Sequence, residues 1–226
     1  MPRPFRLMTW NVRSLRDDRA ALVRVLEQCA PDVLFVQEAP RFLRAQSKLA
    51  ALARESGLVV AAGGRPAAGV ALLTTMRMEV RASQSHLLTK TSGLHQRGLA
   101  MADLTLGAAQ FVAASVHLGL DAAERVQHAS EIEAFIDTCP LPAVIAGDFN
   151  ERADGSAWQK LAQGRRDVGA DHDFPTFSSA NPRRRIDTIL VPNDWSSVAV
   201  SPAEIVDESD LRAATDHRPV IADVMG

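Results

Sequence analysis

In this chain, a set of polar side chains stands where apolar runs begin or end. FRLMTW (5–10) runs into Asn11, DVLFVQ (32–37) into Glu38 and FVAASV (111–116) into His117. AVIAG (143–147) runs into Asp148, with Asn150 two residues further on. Two cases are reversed: Asp187 opens TILV (188–191), and Asp216 and His217 lie just before PVIADV (219–224). Each is commonplace alone. An Asn at a strand end can close a turn on its own backbone, a lone His is usually a satisfied side chain, and Asp187 could pair with Arg184 or Arg185. Together, however, these carboxylates, carboxamides and imidazoles can hold a hard cation, orient a water and neutralise a phosphate. If they meet at one site, the last two strands must run opposite to the first four, because their polar ends are N-terminal.

The elements that would position them follow from periodicity. DDRAALVRVLEQCA (17–30) puts Leu22, Val25, Leu26 and Cys29 on one helical face, with Asp17 and Asp18 suited to its N-terminus. Amphipathic helices are also expected over 41–56 and 121–139, with a short one at SAWQKLAQ (156–163). LVVAA (58–62) and GVALLTT (69–75) flank GGRPAA as a hairpin-like pair, and strands follow near 79–88, 98–106 and 110–117. Residues 164–185 read mostly as loop. Strands both alternate with helices and come in consecutive runs, which points to mixed sheets in an α/β fold.

Composition sets outer bounds. The 226 residues suit one α/β domain spanning 1–226, and 46% apolar content supports a sizeable core. Lys+Arg 25 against Asp+Glu 27 gives a net charge of −2, so no global field draws the chain to nucleic acid or membrane, although a local patch can serve. Cys29 and Cys139 make neither a disulfide framework nor a zinc site. There is no run of about 18 apolar residues, hence no expected membrane span, and MPRPFRLMTW lacks a signal-peptide core. A cytoplasmic monomer is expected.

The residues also carry a likeness. TWNVR, VQE, SVHLG, GDFN, RRRIDTIL and TDHRPV, in this order, resemble the motifs of the endonuclease/exonuclease/phosphatase superfamily, which includes DNase I and neutral sphingomyelinase. The resemblance runs from about residue 7 to about 223. It implies a DNase I-like four-layer α/β sandwich: two packed mixed β-sheets flanked by helices, with the site at one edge. Gly147 is then expected to let the chain turn as the strand delivers Asp148 and Asn150 to that edge. The resemblance further implies Glu38 as the principal ligand of Mg²⁺ (Mn²⁺ as a substitute), with Asn11 and Asp216 in or beside that shell. Asp148 and Asn150 would orient and activate water, and His217 would contact the phosphate with Asp187 holding its ring. His117 would be a second phosphate-facing donor or the leaving-group acid. Arg97, in QRGLA, and Arg185, in the run 183–185, are candidate substrate contacts.

Some positions depart from the pattern. Thr215 stands where Ser is commoner, and Arg13 where the abasic-site endonuclease branch prefers Asp. That branch also uses a Tyr, and this chain has none. The expectation is a Mg²⁺-dependent phosphodiester hydrolase, with nucleic acid the first choice of substrate. A small-molecule or lipid phosphoester is the alternative, and a binding module without turnover a rival of another class. Substrate choice is expected to lie in loops 63–68, 89–97 and 164–185.

Overall fold

The computed structural model describes residues 4–172 and 174–226. Asp173, inside the loop expected over 164–185, lies outside the described residues. The chain begins β1 (Phe5–Asn11), α1 (Arg19–Cys29), β2 (Val33–Gln37), α2 (Ala45–Glu55), β3 (Val59–Gly64), β4 (Val70–Thr74). It continues β5 (Glu79–Leu87), β6 (Gly98–Leu106), β7 (Ala109–His117), α3 (Ala122–Ile136), β8 (Ala143–Asp148), α4 (Ser156–Leu161), β9 (Arg165–Asp167) and β10 (Asp187–Pro192). β11 (Ser196–Val200), α5 (Glu208–Ala214) and β12 (Val220–Met225) complete it. Two six-stranded sheets result, in the orders β11-β12-β1-β2-β4-β3 and β5-β6-β7-β8-β10-β9. Both are mixed: β1 is parallel to β2 but antiparallel to β12, and β7 is parallel to β8, which is antiparallel to β10. Within its own sheet β12 therefore runs opposite to β1 and β2, and β10 opposite to β7 and β8, the direction that the placement of their polar ends requires.

Strand parity explains the layers. Phe5 and Leu7 of β1, Val33 and Phe35 of β2, Phe111 and Ala113 of β7, Val144 and Ala146 of β8, and Ile189 and Val191 of β10 pack together between the sheets. The alternate residues Met8, Trp10, Leu34 and Val36 face α1, α2 and α5. On the other sheet Val112, Ala114, Ile145 and Leu190 face α3 and α4. Central strands buried on both faces must be apolar at nearly every position, which is why they read as runs. Burial of such side chains is worth about 1.5–3 kcal/mol each. Asp18 caps α1, accepting from Ala20 N at 2.9 Å and Ala21 N at 3.0 Å, and Asp121 caps α3, accepting from Glu124 N at 2.9 Å.

Several features differ from the sequence expectation. β9, β11 and α5 are short and carry weak periodicity, so the pattern of residues does not announce them. α2 starts at Ala45 rather than at 41, because Leu43 and Arg44 adopt φ of 34° and 59° and cannot continue a right-handed helix. Gly147 does not make a turn. It lies within β8, paired with Val116 and Thr188, and a Cβ there would collide with the Val116 carbonyl oxygen. Glycine is needed for the close approach of β7. Gly147→Ala should therefore destabilise the chain by about 1–3 kcal/mol, the usual cost of overpacking, and a denaturant titration would measure it. A midpoint equal to that of the parent would show that the strands separate freely. Cys29 and Cys139 are both free. Among the described residues no helix is long and apolar enough to cross a membrane.

Candidate active site

The same parity that builds the core builds the site. Continuing the inter-sheet face by twos from the apolar positions reaches Thr9 and Asn11 on β1, Gln37 on β2, Ser115 and His117 on β7, Asp148 on β8 and Asp187 on β10. These residues form two polar tiers above the apolar core. The lower tier links the sheets: Thr9 Oγ1 lies 3.2 Å from Gln37 Oε1, Gln37 Nε2 donates to Ser115 Oγ at 3.3 Å, and Ser115 donates to the Val36 carbonyl at 3.2 Å. The upper tier is the site. Sequence reading misses Thr9, Gln37 and Ser115, although the two-residue offsets of Thr9 from Asn11 and of Ser115 from His117 are a usable signal.

Asp148 is the centre. In register, β8 sets it opposite both His117 and Asp187. Its Oδ1 accepts from Asn150 N at 2.9 Å and its Oδ2 from Asn11 Nδ2 at 3.1 Å. The same Oδ2 lies 3.4 Å from His117 Nε2 and 3.7 Å from His217 Nε2. Burial and then the facing Asp187 carboxylate push the Asp148 carboxyl up to about 7, against the pull of His217 and the Asn11 and Asn150 hydrogen bonds.

The two imidazoles sit in opposite charge states. Burial disfavours the His217 imidazolium, but Asp187, through charge and hydrogen bond, with Asp148 and Asp216 beyond, outweighs it and raises the ring to about 10. His217 Nδ1 lies 2.9 Å from Asp187 Oδ2. Asp187 is itself fixed: its backbone N donates to Thr176 Oγ1 at 3.3 Å. His117 is held well below the ordinary imidazole range by burial and by Arg97. Arg97 Nη1 donates to His117 Nδ1 at 3.0 Å, so the neutral ring carries its proton on Nε2, toward Asp148. Asn150 Nδ2 lies 3.1 Å from that nitrogen and donates to the Leu118 carbonyl at 2.9 Å.

Glu38 follows β2 with φ of 52°, and its Oε1 accepts from Asn11 Nδ2 at 3.3 Å. Among the described residues nothing bonds its second oxygen. Asp216 is reached by Arg13 Nε at 3.4 Å. Arg13 N also donates to Asn11 Oδ1 at 3.0 Å, and Thr215 Oγ1 donates to the Asn11 carbonyl at 3.0 Å, so the hydroxyl retained at 215 has a structural use. Trp10 Nε1 donates to the His217 carbonyl at 2.9 Å.

The structure thus brings Asn11, Glu38, His117, Asp148, Asn150, Asp187, Asp216 and His217 to one sheet edge. Arg97 is there too, behind His117. Arg185 is not: its Nη1 lies 2.8 Å from Asp167 Oδ2 and its guanidinium lies 4.9 Å over Trp158, away from the cleft. The arginine run 183–185 could not reveal that the chain turns one of its members inward as it enters β10. The site opens into a cleft of about 710 Å³, whose walls include Arg16, Arg41, Lys48 and Phe42. Phe177, Ala68 and His95 also line it, so each of the three loops expected to choose substrate contributes. The Phe177 ring lies 5.0 Å from that of His217. Phe42 and its loop escape sequence reading because their letters fit a helix.

Could the site take a divalent cation? Asp148, Asp187 and His217 offer ligand atoms within 4.8 Å of one another. A protonated His217 has no lone pair to give, however, and its Nδ1 is spent on Asp187. Glu38 fits better, with one carboxylate oxygen uncommitted and the carboxylates of Asp148 and Asp216 on the same cleft, while Asn11 turns its Nδ2 to Glu38 and its Oδ1 to Arg13 N. Hard oxygen donors of this kind suit Mg²⁺.

Two mixed sheets with an Asp–His–Asp cluster at their shared edge define a DNase I-like hydrolase of phosphoric esters. The model of the Endonuclease/Exonuclease/phosphatase family matches residues 8–217, and the chain belongs to that family. Solved structures share the fold. An endonuclease/exonuclease/phosphatase from Bacteroides vulgatus is 21% identical with a TM-score of 0.77, covering 99% of both chains. A mannosyl-6-phosphatase from Bacteroides thetaiotaomicron is 17% identical with a TM-score of 0.79, covering 98% of this chain and 100% of its own. TDP2 of D. rerio, complexed with a single-strand DNA product, is 20% identical with a TM-score of 0.74, covering 99% of each. No curated protein matches in sequence.

Proposed function

We propose that this chain is a divalent-metal-dependent phosphodiesterase acting on nucleic acid. The observation that carries the reading is Asp148, a buried carboxylate held by Asn11 and Asn150 between one cationic and one neutral imidazole, in a cleft also lined by Arg16, Arg41 and Lys48. Asp148 takes the proton of the attacking water, and the new O–P bond forms as the bond to the leaving oxygen breaks. The His217 imidazolium, held cationic by Asp187, faces the charge that grows on the phosphate oxygens. His117, neutral and locked by Arg97, serves as a fixed N–H donor rather than as the leaving-group acid. Glu38, with Asn11 and Asp216 beside it, would hold Mg²⁺, for which Mn²⁺ can substitute. The bound ion supplies charge neutralisation at the phosphoryl group and the leaving oxygen.

A substrate panel tests the reading: plasmid DNA, single-stranded DNA, RNA, sphingomyelin, inositol phosphates, nucleotides and mannose 6-phosphate, each with Mg²⁺ and with Mn²⁺. Fastest turnover on a nucleic acid is expected. Turnover confined to a lipid or sugar phosphoester would replace this reading with the alternative, and none with any substrate would leave a binding module. Glu38→Gln should raise the Mg²⁺ concentration for half-maximal activity by at least about tenfold. Excess chelator should abolish hydrolysis without lowering the melting temperature. Full activity in chelator would remove the metal from the mechanism.

A further inference from the structure

Resting on the nucleic-acid reading, we propose that Phe42 is a stacking platform for an unpaired base next to the cleaved phosphate, which makes single-stranded nucleic acid the preferred substrate form. Phe42 and the adjacent Leu43 are 80% and 83% exposed, unusual for two large apolar side chains in a row. Their exposure is built in. Leu43 and Arg44 take φ of 34° and 59°, which ends the loop abruptly before α2 and directs both side chains away from the core. Arg41 fixes the other end of the loop, its Nη1 donating to the Gln96 carbonyl at 3.2 Å and the Ala68 carbonyl at 3.4 Å. Its guanidinium also lies 5.9 Å from the centre of the Phe42 ring, which limits how that ring can turn. Phe42 lines the same cleft as Asp148 and His217.

The chemistry of the wall selects the occupant. Aromatic surface alternating with Arg16, Arg41 and Lys48 suits a flat base attached to a polyanionic backbone. A base within a duplex is stacked on its neighbours and has no free face to offer, so the platform favours a single strand.

The test uses Asp148→Asn protein, whose turnover is expected to be about 10²–10⁴-fold slower, and single-stranded DNA carrying 2-aminopurine at each position flanking the cleaved phosphate in turn. At one position fluorescence should be quenched on binding. Phe42→Ala should abolish that quenching and weaken binding about 5- to 150-fold, the range for one base–aromatic stack. Phe42→Trp should retain both, and Phe42→Leu, apolar but not flat, should not. An abasic residue at the quenched position should remove the difference in binding between the Phe42→Ala protein and the protein that keeps Phe42. Undiminished binding by Phe42→Ala, or a loss just as large on the abasic strand, would overturn the platform while leaving the nuclease reading intact. Failure of the unmutated chain to bind or cut the strand, while it cuts duplex DNA, would overturn the platform alone; failure on every nucleic acid of the panel would overturn both.

Discussion

Asp148→Asn is expected to lower kcat by about 10²–10⁴-fold, the usual worth of a positioned general base, while the fold survives. An amide keeps the shape and can still accept from Asn11, but it cannot take a proton from water. Stability should separate this role from that of a strand-end residue. The folded-state carboxyl is raised from 3.8 to about 7 by burial and by Asp187. Its contribution to stability is therefore complete below about pH 4 and is lost as pH rises through about 7. In chelator, so that only the chain's own groups titrate, Asp148→Asn should melt at or above the parent at pH 8, with the advantage vanishing near pH 4. His217→Ala should cost a comparable factor in kcat. Because both groups serve one transition state, the double variant should lose much less than the product of the single losses. Near-parental turnover by Asp148→Asn on a substrate the parent cleaves would end this assignment.

Asp187→Asn is the second large effect, and it should act through pH. Asp187 is the nearest source of the charge that lifts His217 to about 10. With it neutralised, burial regains weight and the ring titrates far lower. The parent's kcat should rise with pH through about 7 as Asp148 ionises, and fall near 10 as His217 loses its proton. In Asp187→Asn the falling limb should move down toward about 6.5, so that kcat at pH 8.5 drops by up to about 10²-fold, a factor of ten for each unit the ring is displaced past the assay pH. The linkage has the same direction as for Asp148, stability being lost as pH rises, but it acts in a higher pH window. A His raised in the folded state adds stability that is present below its unfolded value of about 6.5 and is lost as pH rises through about 10. Asp187→Asn should therefore melt below the parent at pH 6, and breaking a buried pair costs about 3–5 kcal/mol. Rate profiles from pH 5.5 to 10.5, with melts at the same points, give both readouts. An unmoved alkaline limb would mean that Asp187 only anchors a strand.

Much of this molecule was open to reading from its sequence. The runs FRLMTW, DVLFVQ, FVAASV and AVIAG are apolar at nearly every position because their strands are buried on both faces. Each reaches the sheet edge where its apolar residues stop, so the polar residue after it marks that edge. Asp187 at the start of β10 and Asp216 ahead of β12 required both strands to run opposite to the others, given that the polar ends share one site. Local chemistry was also legible: Asp18 and Asp121 announce helix starts because a cap acts within its own turn. What sequence could not decide depends on contacts between distant segments. Arg97 and Arg185 look alike as letters, yet one locks His117 and the other is buried against Asp167, because the chain entering β6 and the chain entering β10 carry them to different faces. Gly147 looks like a turn residue, but the approach of Val116 from a neighbouring strand is what demands it. Phe42 fits a helical pattern, and only the left-handed backbone at Leu43 and Arg44 exposes it. The charge states of His117 and His217 belong to tertiary structure as well, since a ring's proton affinity is set by which carboxylate or guanidinium the fold places beside it and by how much water it excludes.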